Sequence, residues 1–564
     1  MKAWKLRSFN TTTAQQLQEA LKVHPVFCQL LVQRGVHDFE QAKQFFRPNL
    51  ANLHAPNLLA GMPAALARLG QALAQGEKTL LFADYDVDGL SALLILHRIL
   101  DQKLPLDYLL PDRFEQGYGL SVYAVEFAQA VNCSLIIALD CGSRDHKALA
   151  LAQKLGIDVI IVDHHELARK QQPKAAALIN PKQAQCDYPN SEITAAGLAF
   201  KLAQALVEQE NWPEAPLWPL LQWVALSLAA DQAPLTGENR ILAHHGLRFL
   251  EEEGEEILQQ IQERLERPRP YNMQALYFGL VPLLNAPGRM GHAQTAADCL
   301  LAKGEKEQKK KLELLFLQNQ ARKRAQEEVY QEIQRILQEQ GQWLERSLLL
   351  LAQPHWPLGV LGILASRLSK EWGRPCILLG QNKAGNWQGS GRSPEGQELL
   401  PAVEACSAQL LQYGGHSRAL GLQLKKEELA AFEAALEAQL YQQLSRGPEP
   451  EALEIDAQLD FSLIGPKFWK LLKQFAPFGP GNPNPCFMSK NLCDSGYSKA
   501  INQKHLRLFL RQGQGSPQEG IAYNFMEHFE QIKSRKPFHL CYQLEEHFYR
   551  GRRKLQFVAR DIKF

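Results

Sequence analysis

Three apolar runs that end in acidic residues decide the fold class of this sequence: LLFADYDVDG at residues 80–89, LIIALDCG at 135–142 and VIIVDHH at 159–165. Shorter β-rich runs lie at 108–110 and 177–179. Longer amphipathic segments separate the five runs, and strands that alternate with helical segments are typical of a parallel sheet. The sequence therefore predicts a doubly wound parallel α/β domain.

The acidic ends of the three runs are expected to meet in space, because ligands of an open parallel sheet bind outside the carboxyl ends of its strands. The residues brought to that edge are Asp84, Asp86, Asp88, Asp140, Asp163, His164 and His165. One aspartate after a strand is more often a helix cap, but many carboxylates together repel one another unless divalent cations neutralise them. Carboxylate and imidazole ligands without cysteine suit Mn²⁺ or Mg²⁺, and the imidazole favours manganese. The pattern therefore predicts a two-metal hydrolytic site.

The overall composition is that of a globular protein with several domains. The chain has 564 residues, 45% hydrophobic and 22% charged, which excludes a disordered tail or a fibre. With 62 Lys+Arg against 60 Asp+Glu the net charge is +2, so any nucleic-acid-binding patch must be local. No apolar stretch approaches the roughly 18 residues of a membrane helix, and the start, MKAWKLRSFN, is unlike a signal peptide. We therefore expect a cytoplasmic protein without a membrane partner, whose ten scattered cysteines are reduced thiols.

Changes of pattern along the chain predict five parts: an N-terminal helical cap, the α/β domain, a connector, a second and smaller α/β unit, and a C-terminal barrel or sandwich. Their expected bounds are 1–75, 76–267, 268–347, 348–445 and 453–564. The connector should contain one long helix, from Lys303 to about Ser347, because small and apolar residues recur every four positions at Ala321, Ala325, Val329, Ile333 and Leu337. The stretch SRGPEPEA at 445–452 is linker-like.

The last part of the chain carries a local positive charge. From Lys533 to Phe564 there are nine Lys/Arg against three Asp/Glu, interleaved with Tyr542, Phe548, Tyr549 and Phe557. Such a run can be simply a solvated face. Base stacking combined with attraction to a phosphate backbone needs this pairing, however, so the terminal barrel is the predicted nucleic-acid-binding part.

The ordered motifs DYDVDG, ALDCG and VDHH resemble the first three motifs of the DHH phosphoesterase superfamily. Within it, further segments over nearly the whole chain are similar to the RecJ family of exonucleases. These segments are LPDRFEQGYGL (110–120), TAAGLAFKL (194–202), ALSLAADQAPLTGENR (225–240), LNAPGRMG (284–291), GVLGILASRL (359–368), GSGRS (389–393), YGGHSRALGL (413–422) and FAPFGPGNPNP (475–485). The resemblance implies a DHH domain, a DHH-associated domain and a C-terminal OB-type barrel. It also implies hydrolysis of single-stranded DNA in the 5′→3′ direction, in DNA repair and recombination, with two Mn²⁺ ions expected and Mg²⁺ as the alternative.

Taken position by position, the resemblance implies metal ligands at Asp86, Asp88, Asp140, His164 and Asp231. Asp140 would be the carboxylate shared by both metals. Asp84 and His165 would be catalytic residues beside the metals, with His165 placed to contact the scissile phosphate, although Asp84 could instead be a capping residue. From the residues alone, Asp231 is equally well a helix N-cap, because it follows the apolar run VALSLAA. The family match is the main reason to include it.

A second phosphate pocket without metal would set the polarity by holding the 5′ end of the strand. The resemblance gives its candidates as Arg113, Ser390 and Arg392. An arginine fork and a hydroxyl in glycine-flanked loops are good phosphate ligands, although Arg392 could be a plain surface charge. Further strand-binding candidates are Asn285, Arg289, Gly414, Gly415 and His416. Of these, Asn285 could simply begin a turn, since it opens the sequence Asn-Ala-Pro-Gly.

The sequence departs from the family pattern at two positions. Pro357 stands where many relatives have histidine, and Leu283 stands where an arginine is common. Both positions lie in substrate-side or packing segments. They bear on details of DNA contact and leave the metal motifs intact.

Two other classes of function remain open from the sequence. One is a DHH phosphodiesterase or pyrophosphatase that acts on small phosphate substrates, and the other is a non-catalytic DHH scaffold in a replication complex. The resemblance to exonucleases implies single-stranded DNA as the substrate. It also implies a single-strand-binding protein and a RecQ-type helicase as partners.

Overall fold

The computed structural model describes residues 3–167, 172–266, 270–341, 346–444, 452–549 and 552–564. The chain forms two compact units. The first contains Met1–Tyr108, Gly119–Val281 and Ala452–Phe564, and the second contains Leu109–Tyr118 and Pro282–Glu451. Among the helices in the described ranges, none is long and apolar enough to cross a membrane. Residues 445–451 of the linker-like stretch lie outside the described residues.

The first unit begins with a short strand and three helices and continues as an α/β domain. Its strands are β1 (Trp4–Leu6), β2 (Thr79–Ala83), β3 (Leu106–Leu109), β4 (Leu135–Leu139), β5 (Asp158–Val162) and β6 (Ala177–Ile179). Its helices are α1 (Thr11–Leu21), α2 (Pro25–Val32), α3 (Phe39–Phe46), α4 (Met62–Gln75), α5 (Val87–Leu100), α6 (Val122–Ala130), α7 (His146–Lys154), α8 (Ala195–Gln209), α9 (Leu221–Ala230), α10 (Gly237–Glu252), α11 (Glu256–Arg264) and α12 (Met273–Ala275).

The sheet of the α/β domain has the strand order β3-β2-β4-β5-β6, with parallel pairing from β2 through β6. Every residue of β2 and of β4 is buried, which is why their sequences are continuous apolar runs. Strand order reverses between β2 and β4, the first and third strands of the domain. In open α/β sheets such a reversal opens a ligand crevice at the carboxyl ends of the two strands. The doubly wound parallel sheet predicted from the sequence is confirmed.

The second unit contains a long helix and a smaller sheet. Its helices are α13 (Val281–Leu284), α14 (Ala286–Arg289), α15 (Gln294–Leu300), α16 (Glu305–Gln340), α17 (Leu358–Trp372), α18 (Leu399–Ala405) and α19 (Leu429–Leu444). Its strands are β7 (Leu349–Ala352), β8 (Cys376–Gln381), β9 (Trp387–Arg392), β10 (Gln412–His416) and β11 (Ala419–Leu424), in the order β10-β11-β9-β8-β7.

The predicted long helix is α16, which has 36 residues and ends before Gly341 rather than at Ser347. Gly341 adopts the left-handed conformation that commonly ends a helix. Val329 and Ile333 pack into a core with α17, whereas Ala321 is exposed. Ala321 therefore lies off the buried face of the helix, which begins earlier in the chain with Leu312, Leu315 and Phe316.

The C-terminal part of the first unit is a closed barrel. Its strands are β12 (Leu453–Ile455), β13 (Ala457–Gln458), β14 (Phe487–Asp494), β15 (Lys499–Ile501), β16 (His505–Gln512), β17 (Gln518–Ala522), β18 (Phe538–Tyr549) and β19 (Arg552–Lys563), with helices α20 (Pro466–Leu472) and α21 (Phe529–Lys533). Pairing runs β14-β18-β19-β17-β16, and β16 pairs again with β14, which closes five strands into a ring. A five-stranded barrel of this kind is of the OB type.

The N-terminal helices share one hydrophobic core with this barrel. Phe27 of α2 lies with its ring centroid 4.7 Å from that of Phe468 in α20, and Leu17 of α1 is buried in the same cluster. In addition, β1 pairs in parallel with β12. Helices α1–α3 therefore pack against the end of the chain and complete the core of the barrel.

Two aromatic residues expected to stack on bases are core residues of the barrel. Tyr542 and Phe557 are at most 1% exposed, and their ring centroids lie 5.9 Å apart. The side chains of Phe548 and Tyr549 lie outside the described residues. The stacking role predicted for Tyr542 and Phe557 is wrong, because the barrel interior is filled by these rings.

Candidate metal centre

The motif aspartates lie at the carboxyl ends of β2 and β4, where the strand order reverses. The backbone N–H of Asp84 donates to the Leu139 carbonyl at 3.1 Å, and that of Asp140 donates to the Val162 carbonyl at 2.9 Å. Both aspartates are 2% exposed. Asp140 has a left-handed backbone, with φ of +62°, which few residues other than glycine, asparagine and aspartate tolerate. Such strain in a buried aspartate is typical of a functional position.

The sequence DYDVDG turns from β2 into α5. Asp86 caps this helix, because its carboxylate accepts hydrogen bonds from the N–H groups of Asp88 at 2.9 Å and Gly89 at 3.2 Å. The capping residue is therefore Asp86 and not Asp84. A Cβ atom at Gly89 would lie 2.6 Å from the Asp84 carbonyl oxygen, so the turn requires glycine there.

Asp88 is fixed by the N-terminus of α8 and by α9. Its two carboxylate oxygens accept hydrogen bonds from the N–H groups of Ala195 and Ala196, each at 2.8 Å. The Ser227 hydroxyl of α9 also donates to this carboxylate, at 2.7 Å. A helix N-terminus stabilises negative charge, so Asp88 is held as an oriented, buried carboxylate.

His164 lies between three carboxylates. Its Nε2 atom is 3.3 Å from Oδ1 of Asp140, 3.5 Å from Oδ2 of Asp88 and 3.5 Å from Oδ2 of Asp231. Asp231 is the residue after the last turn of α9, and its N–H donates to the Ser227 carbonyl. Asp231 is thus a C-cap, which excludes the alternative that it is an N-cap.

Three overlapping groups of side chains could hold metal ions. The ligand atoms within each group all lie within 4.8 Å of one another. The groups are Asp140 with His164 and His165, Asp88 with His164 and Asp231, and Asp84 with Asp86 and Asp140. The structure therefore brings together all seven residues proposed as metal ligands or catalytic residues.

The electrostatics of the cluster favour a cation. Burial, followed by repulsion from Asp88, Asp86, Asp231 and Asp84, raises the pKa of Asp140 well above its ordinary value. Burial and neighbouring carboxylates likewise raise the pKa of Asp231 and of Asp86. Burial lowers the pKa of His164, which leaves the neutral imidazole that a metal ligand requires. Carboxylates packed this closely ionise together only when positive charge lies among them.

Asp163 orients His165 and was not assigned this role from the sequence. Its Oδ1 atom lies 2.8 Å from Nδ1 of His165. Burial alone would lower the pKa of His165, but the hydrogen bond to Asp163 and the charges of Asp163 and Asp88 raise it. His165 is therefore favoured as a cation, whereas the adjacent His164 is favoured as a neutral ring.

Two further residues hold the DHH segment and were also missed. The side-chain amide of Asn180 donates to the His165 carbonyl at 2.9 Å, and the Ser143 N–H donates to the Asp163 carboxylate at 3.2 Å. Both residues are buried. The available signal was positional, since Asn180 directly follows β6 at the same edge of the sheet as the three motifs.

The second unit contains the candidate phosphate pocket. Ser390 and Arg392 lie on β9, and a Cβ atom at Gly362 of α17 would lie 3.2 Å from the Ser390 hydroxyl and 3.3 Å from the Arg392 guanidinium. Burial and then the nearby charge of Arg113 lower the pKa of Arg392. Arg392 is therefore half-buried beside a second arginine rather than a plain surface charge.

The glycine-rich strand β10 is in register with this pocket. Gly414 pairs with Gly421, which pairs with Ser390, and His416 pairs with Ala419, which pairs with Arg392. All five residues of β10, including Gly415, are exposed. Ser390, Arg392, Gly414 and His416 therefore lie on one face of a single sheet, and Gly415 lies between the last two on β10.

Asn285 and Arg289 belong to the short helix α14. Asn285 is its N-cap, so Asn-Ala-Pro-Gly begins a helix rather than a simple turn. A Cβ atom at Gly359 would lie 1.8 Å from the Arg289 carbonyl, so α17 can approach α14 only with glycine there. Among the two departures from the family pattern, Pro357 is the N-cap of α17, and Leu283 is fully buried in α13.

Comparison with known proteins agrees with this arrangement. Three family models match: the DHH family, N-terminal domain, at 78–227, the DHHA1 domain at 345–442 and the RecJ OB domain at 455–561. A Bacillus subtilis protein named single-stranded-DNA-specific exonuclease RecJ is 30% identical over 562 residues, covering 99% of this chain and 70% of the relative. The Haemophilus influenzae protein of the same name is 30% identical over 563 residues, covering 96% of each chain.

A solved structure is similar over the whole chain. The crystal structure of RecJ from Thermus thermophilus in complex with Mn²⁺ matches with a TM-score of 0.84 and 26% identity, covering 100% of this chain and 79% of that one. The parallel sheet with a DHH tripeptide and an aspartate cluster at its edge defines a DHH phosphoesterase. Within that class, the chain belongs to the RecJ family of exonucleases.

Proposed function

We propose that this chain is a metal-dependent exonuclease that degrades single-stranded DNA in the 5′→3′ direction by two-metal phosphodiester hydrolysis. The observation that carries the proposal is the convergence of five carboxylates and two imidazoles on one crevice of the sheet. The names of the relatives supply the substrate, single-stranded DNA. The direction of degradation follows from the resemblance noted in the sequence.

The proposed metals are two Mn²⁺ ions, with Mg²⁺ as the alternative, held by Asp86, Asp88, Asp140, His164 and Asp231. The donor set fits, because carboxylate oxygens with a neutral imidazole suit manganese and no cysteine is among them. Asp140 belongs to two of the three candidate groups, which supports its role as the shared carboxylate. When bound, such cations activate a water molecule and neutralise the charge that develops on the phosphate.

The protein's own side chains would orient the reaction. The first N–H groups of α8 fix the orientation of the Asp88 carboxylate. The hydrogen bond with Asp163 fixes the orientation of the His165 ring and favours its charged form. A charged imidazole is a strong hydrogen-bond donor, so His165 is proposed to bind an oxygen of the scissile phosphate. Asp84 shares a candidate group with Asp86 and Asp140 and is proposed as a second catalytic residue beside the metals.

The 5′→3′ direction is proposed to come from the pocket of Arg113, Ser390 and Arg392. Two neighbouring guanidiniums with a hydroxyl and the first turns of α17 suit a terminal phosphate, which has more charge than an internal one. The exposed strand β10, with Gly414, Gly415 and His416, would hold the DNA backbone, and so would Asn285 and Arg289.

The barrel is proposed to bind single-stranded DNA through a face different from the one predicted by charge counting. In the register of β15, β16 and β17, Lys499 pairs with Arg507, and Arg507 pairs with Ile521. At the end of this face, Tyr523 is 51% exposed, and its ring centroid lies 5.4 Å from that of His505. Basic side chains beside exposed rings form a platform on which bases can stack. Strands β16 and β17 are the second and third strands of the barrel, which form the usual binding face of OB barrels.

Tyr497, which is 75% exposed, lies in the loop just before β15, whose Lys499 pairs with Arg507. Its loop is held rigidly, because the Lys533 ammonium donates to the carbonyls of Gly496 and Ser498 at 3.2 Å each. The Ser498 N–H also donates to buried Asp494. An exposed aromatic ring on a fixed loop binds a base with little loss of conformational entropy.

The cellular setting is proposed from the resemblance alone. We infer from it a cytoplasmic protein that acts in DNA repair and recombination, with a single-strand-binding protein and a RecQ-type helicase as partners.

The proposal is tested with long single strands labelled at the 5′ or the 3′ end, incubated with Mn²⁺, with Mg²⁺ or with a chelator. We expect immediate release of short 5′-labelled products, late release of the 3′ label, and no reaction with the chelator. Immediate release of the 3′ label would contradict the direction. Hydrolysis of dinucleotides but not of long strands would favour a small-substrate phosphodiesterase.

A further inference from the structure

The loop that begins with Asp231 is in contact with a distant part of the sequence, the segment 475–483 that leads into the barrel. The N–H of Leu235 donates to the Pro480 carbonyl at 2.7 Å. A Cβ atom at Gly479 would lie 2.7 Å from Cδ1 of Leu235, and one at Gly481 would lie 3.0 Å from Cγ2 of Thr236. The two backbones therefore pack as closely as glycine permits.

Arg240, in the first turn of α10, holds the start of the same segment. Arg240 is 4% exposed, and its guanidinium donates to the carbonyls of Phe475 at 2.9 Å, Ala476 at 2.8 Å and Gln474 at 3.3 Å. It also donates to the Phe45 carbonyl and lies 3.9 Å from the centroid of the Phe45 ring. Burial and the nearby charge of Arg34 lower the pKa of Arg240 to about 9.

The other side of the loop is fixed to the catalytic domain. The side-chain amide of Asn239 donates to the Pro234 carbonyl at 3.1 Å and to the Glu192 carbonyl at 2.8 Å. At the start of the loop, the Ala233 N–H donates back to Leu228 in α9. The segment 475–483 therefore restrains the far end of a loop whose first residue, Asp231, has its Oδ2 atom 3.5 Å from Nε2 of His164.

We propose that the segment 475–483, through Arg240 and the Leu235–Pro480 hydrogen bond, positions Asp231 in the metal centre. This proposal rests on the function proposed above, because it takes Asp231 as a metal ligand. Asp231 has 25% of its side chain exposed, against 0% for Asp88 and 3% for Asp140. Asp231 is therefore the least enclosed of these three carboxylates, and its N–H, bonded to the Ser227 carbonyl, joins the end of α9 to the loop that the segment restrains. The segment that leads into the barrel thus also supports the metal site.

The test compares two glycines of the C-terminal part of the chain that share a left-handed backbone. Gly481 has φ of +72° and faces the Asp231 loop, whereas Gly513 has φ of +54° and an added Cβ there would meet no described atom within 4 Å. Mn²⁺ binding to the full chain without DNA is measured by calorimetry for Gly481→Ala and Gly513→Ala. Residues that support ligands typically change metal affinity by 10–100-fold, so we expect Gly481→Ala to bind one Mn²⁺ about tenfold more weakly than Gly513→Ala.

Arg240→Lys provides a second variant in case Gly481→Ala does not fold. Lysine keeps the charge but lacks the planar fork that bonds several carbonyls at once, so weaker Mn²⁺ binding is expected here too. If a folded variant of either kind binds Mn²⁺ as tightly as Gly513→Ala, the positioning role is overturned. The same holds if only the affinity for single-stranded DNA falls.

Asp231→Ala separates failure of this proposal from failure of the proposed function. If Asp231→Ala loses one Mn²⁺ while Gly481→Ala binds Mn²⁺ as tightly as Gly513→Ala, the proposed metal centre is supported and the positioning role fails. If Asp231→Ala binds Mn²⁺ like the unaltered chain, Asp231 is not a metal ligand. The proposed ligand set is then wrong at this position, and the positioning role fails with it.

Discussion

The Nε2 atom of His164 lies 3.3 Å from Oδ1 of Asp140, although the two residues follow different strands of the sheet. Both residues belong to two of the three candidate metal groups, so they join those groups into one centre. The contact exists because β4 and β5 are parallel neighbours whose carboxyl ends share an edge. It connects the topology of the fold directly to the proposed chemistry.

His164→Ala should reduce hydrolysis strongly but leave it partly recoverable. One nitrogen ligand is lost while the carboxylates remain, so metal affinity falls and excess Mn²⁺ should restore part of the activity. The measurement is the rate at saturating single-stranded DNA over a Mn²⁺ titration. His244→Ala, in α10, is the matched control and should behave like the unaltered chain. A folded His164→Ala with no recovery at any Mn²⁺ concentration would assign this residue another role.

Asp163→Asn should lower the pKa of His165. Asp163 raises that pKa in the native protein, so His165 stays charged to a higher pH than an ordinary histidine and loses its charge as the pH rises through the raised value. Without the carboxylate, this loss should move to lower pH. An NMR titration of the metal-free protein follows the ring directly. An unchanged titration would show that Asp163 does not set the charge of His165.

Arg392→Ala should impair recognition of the 5′ end more than the chemical step. The guanidinium lies beside Ser390 and near Arg113, and its loss removes a charge-assisted bond to phosphate. The measurement is kcat/KM on 5′-phosphorylated and 5′-hydroxyl strands. Arg367→Ala, whose side chain is exposed on α17 and paired with Glu371, serves as the control. If Arg392→Ala keeps the preference of the unaltered chain for the phosphate, the pocket lies elsewhere.

Tyr523→Ala should weaken binding of single-stranded DNA without changing the rate at saturation. Loss of one stacked base costs about 1–3 kcal/mol of binding free energy. Fluorescence anisotropy with a labelled strand, in the presence of a chelator, measures the affinity alone. Tyr441→Ala changes an exposed tyrosine of α19 in the second unit and is the control. If Tyr523→Ala and Tyr441→Ala bind the strand with equal affinity, Tyr523 does not stack on a base.

The sequence was sufficient to predict the parallel sheet and most of the metal centre, because buried strands and the residues that follow them are contiguous motifs. Asp231 is different, since it enters through the C-terminus of α9 and only the family resemblance indicated it. Its tertiary contacts with His164 could not be read from an apolar run followed by an aspartate. The support of Asp88 by the N-terminus of α8 likewise depends on packing between residues about a hundred positions apart.

The barrel shows where counting charges and rings failed. Tyr542 alternates with buried Leu540 and Leu544, a period of two that indicates one inward face. This alternation indicates buried rings, whereas the number of positive charges and rings nearby indicates an exposed binding face. The exposed rings lie on other elements, at Tyr497 and Tyr523, where the surrounding sequence is not unusually basic.

The most direct test of the two-metal proposal is Asp140→Ala, with hydrolysis of 5′-phosphorylated single strands and Mn²⁺ stoichiometry measured on the same folded preparation. Asp140 is the carboxylate common to two metal groups, so its loss should dismantle the metal pair. We predict that hydrolysis falls by several powers of ten, that fewer than two Mn²⁺ ions bind, and that affinity for the strand is largely retained. A folded variant that binds two Mn²⁺ ions and keeps more than about a tenth of the original kcat would contradict the proposal.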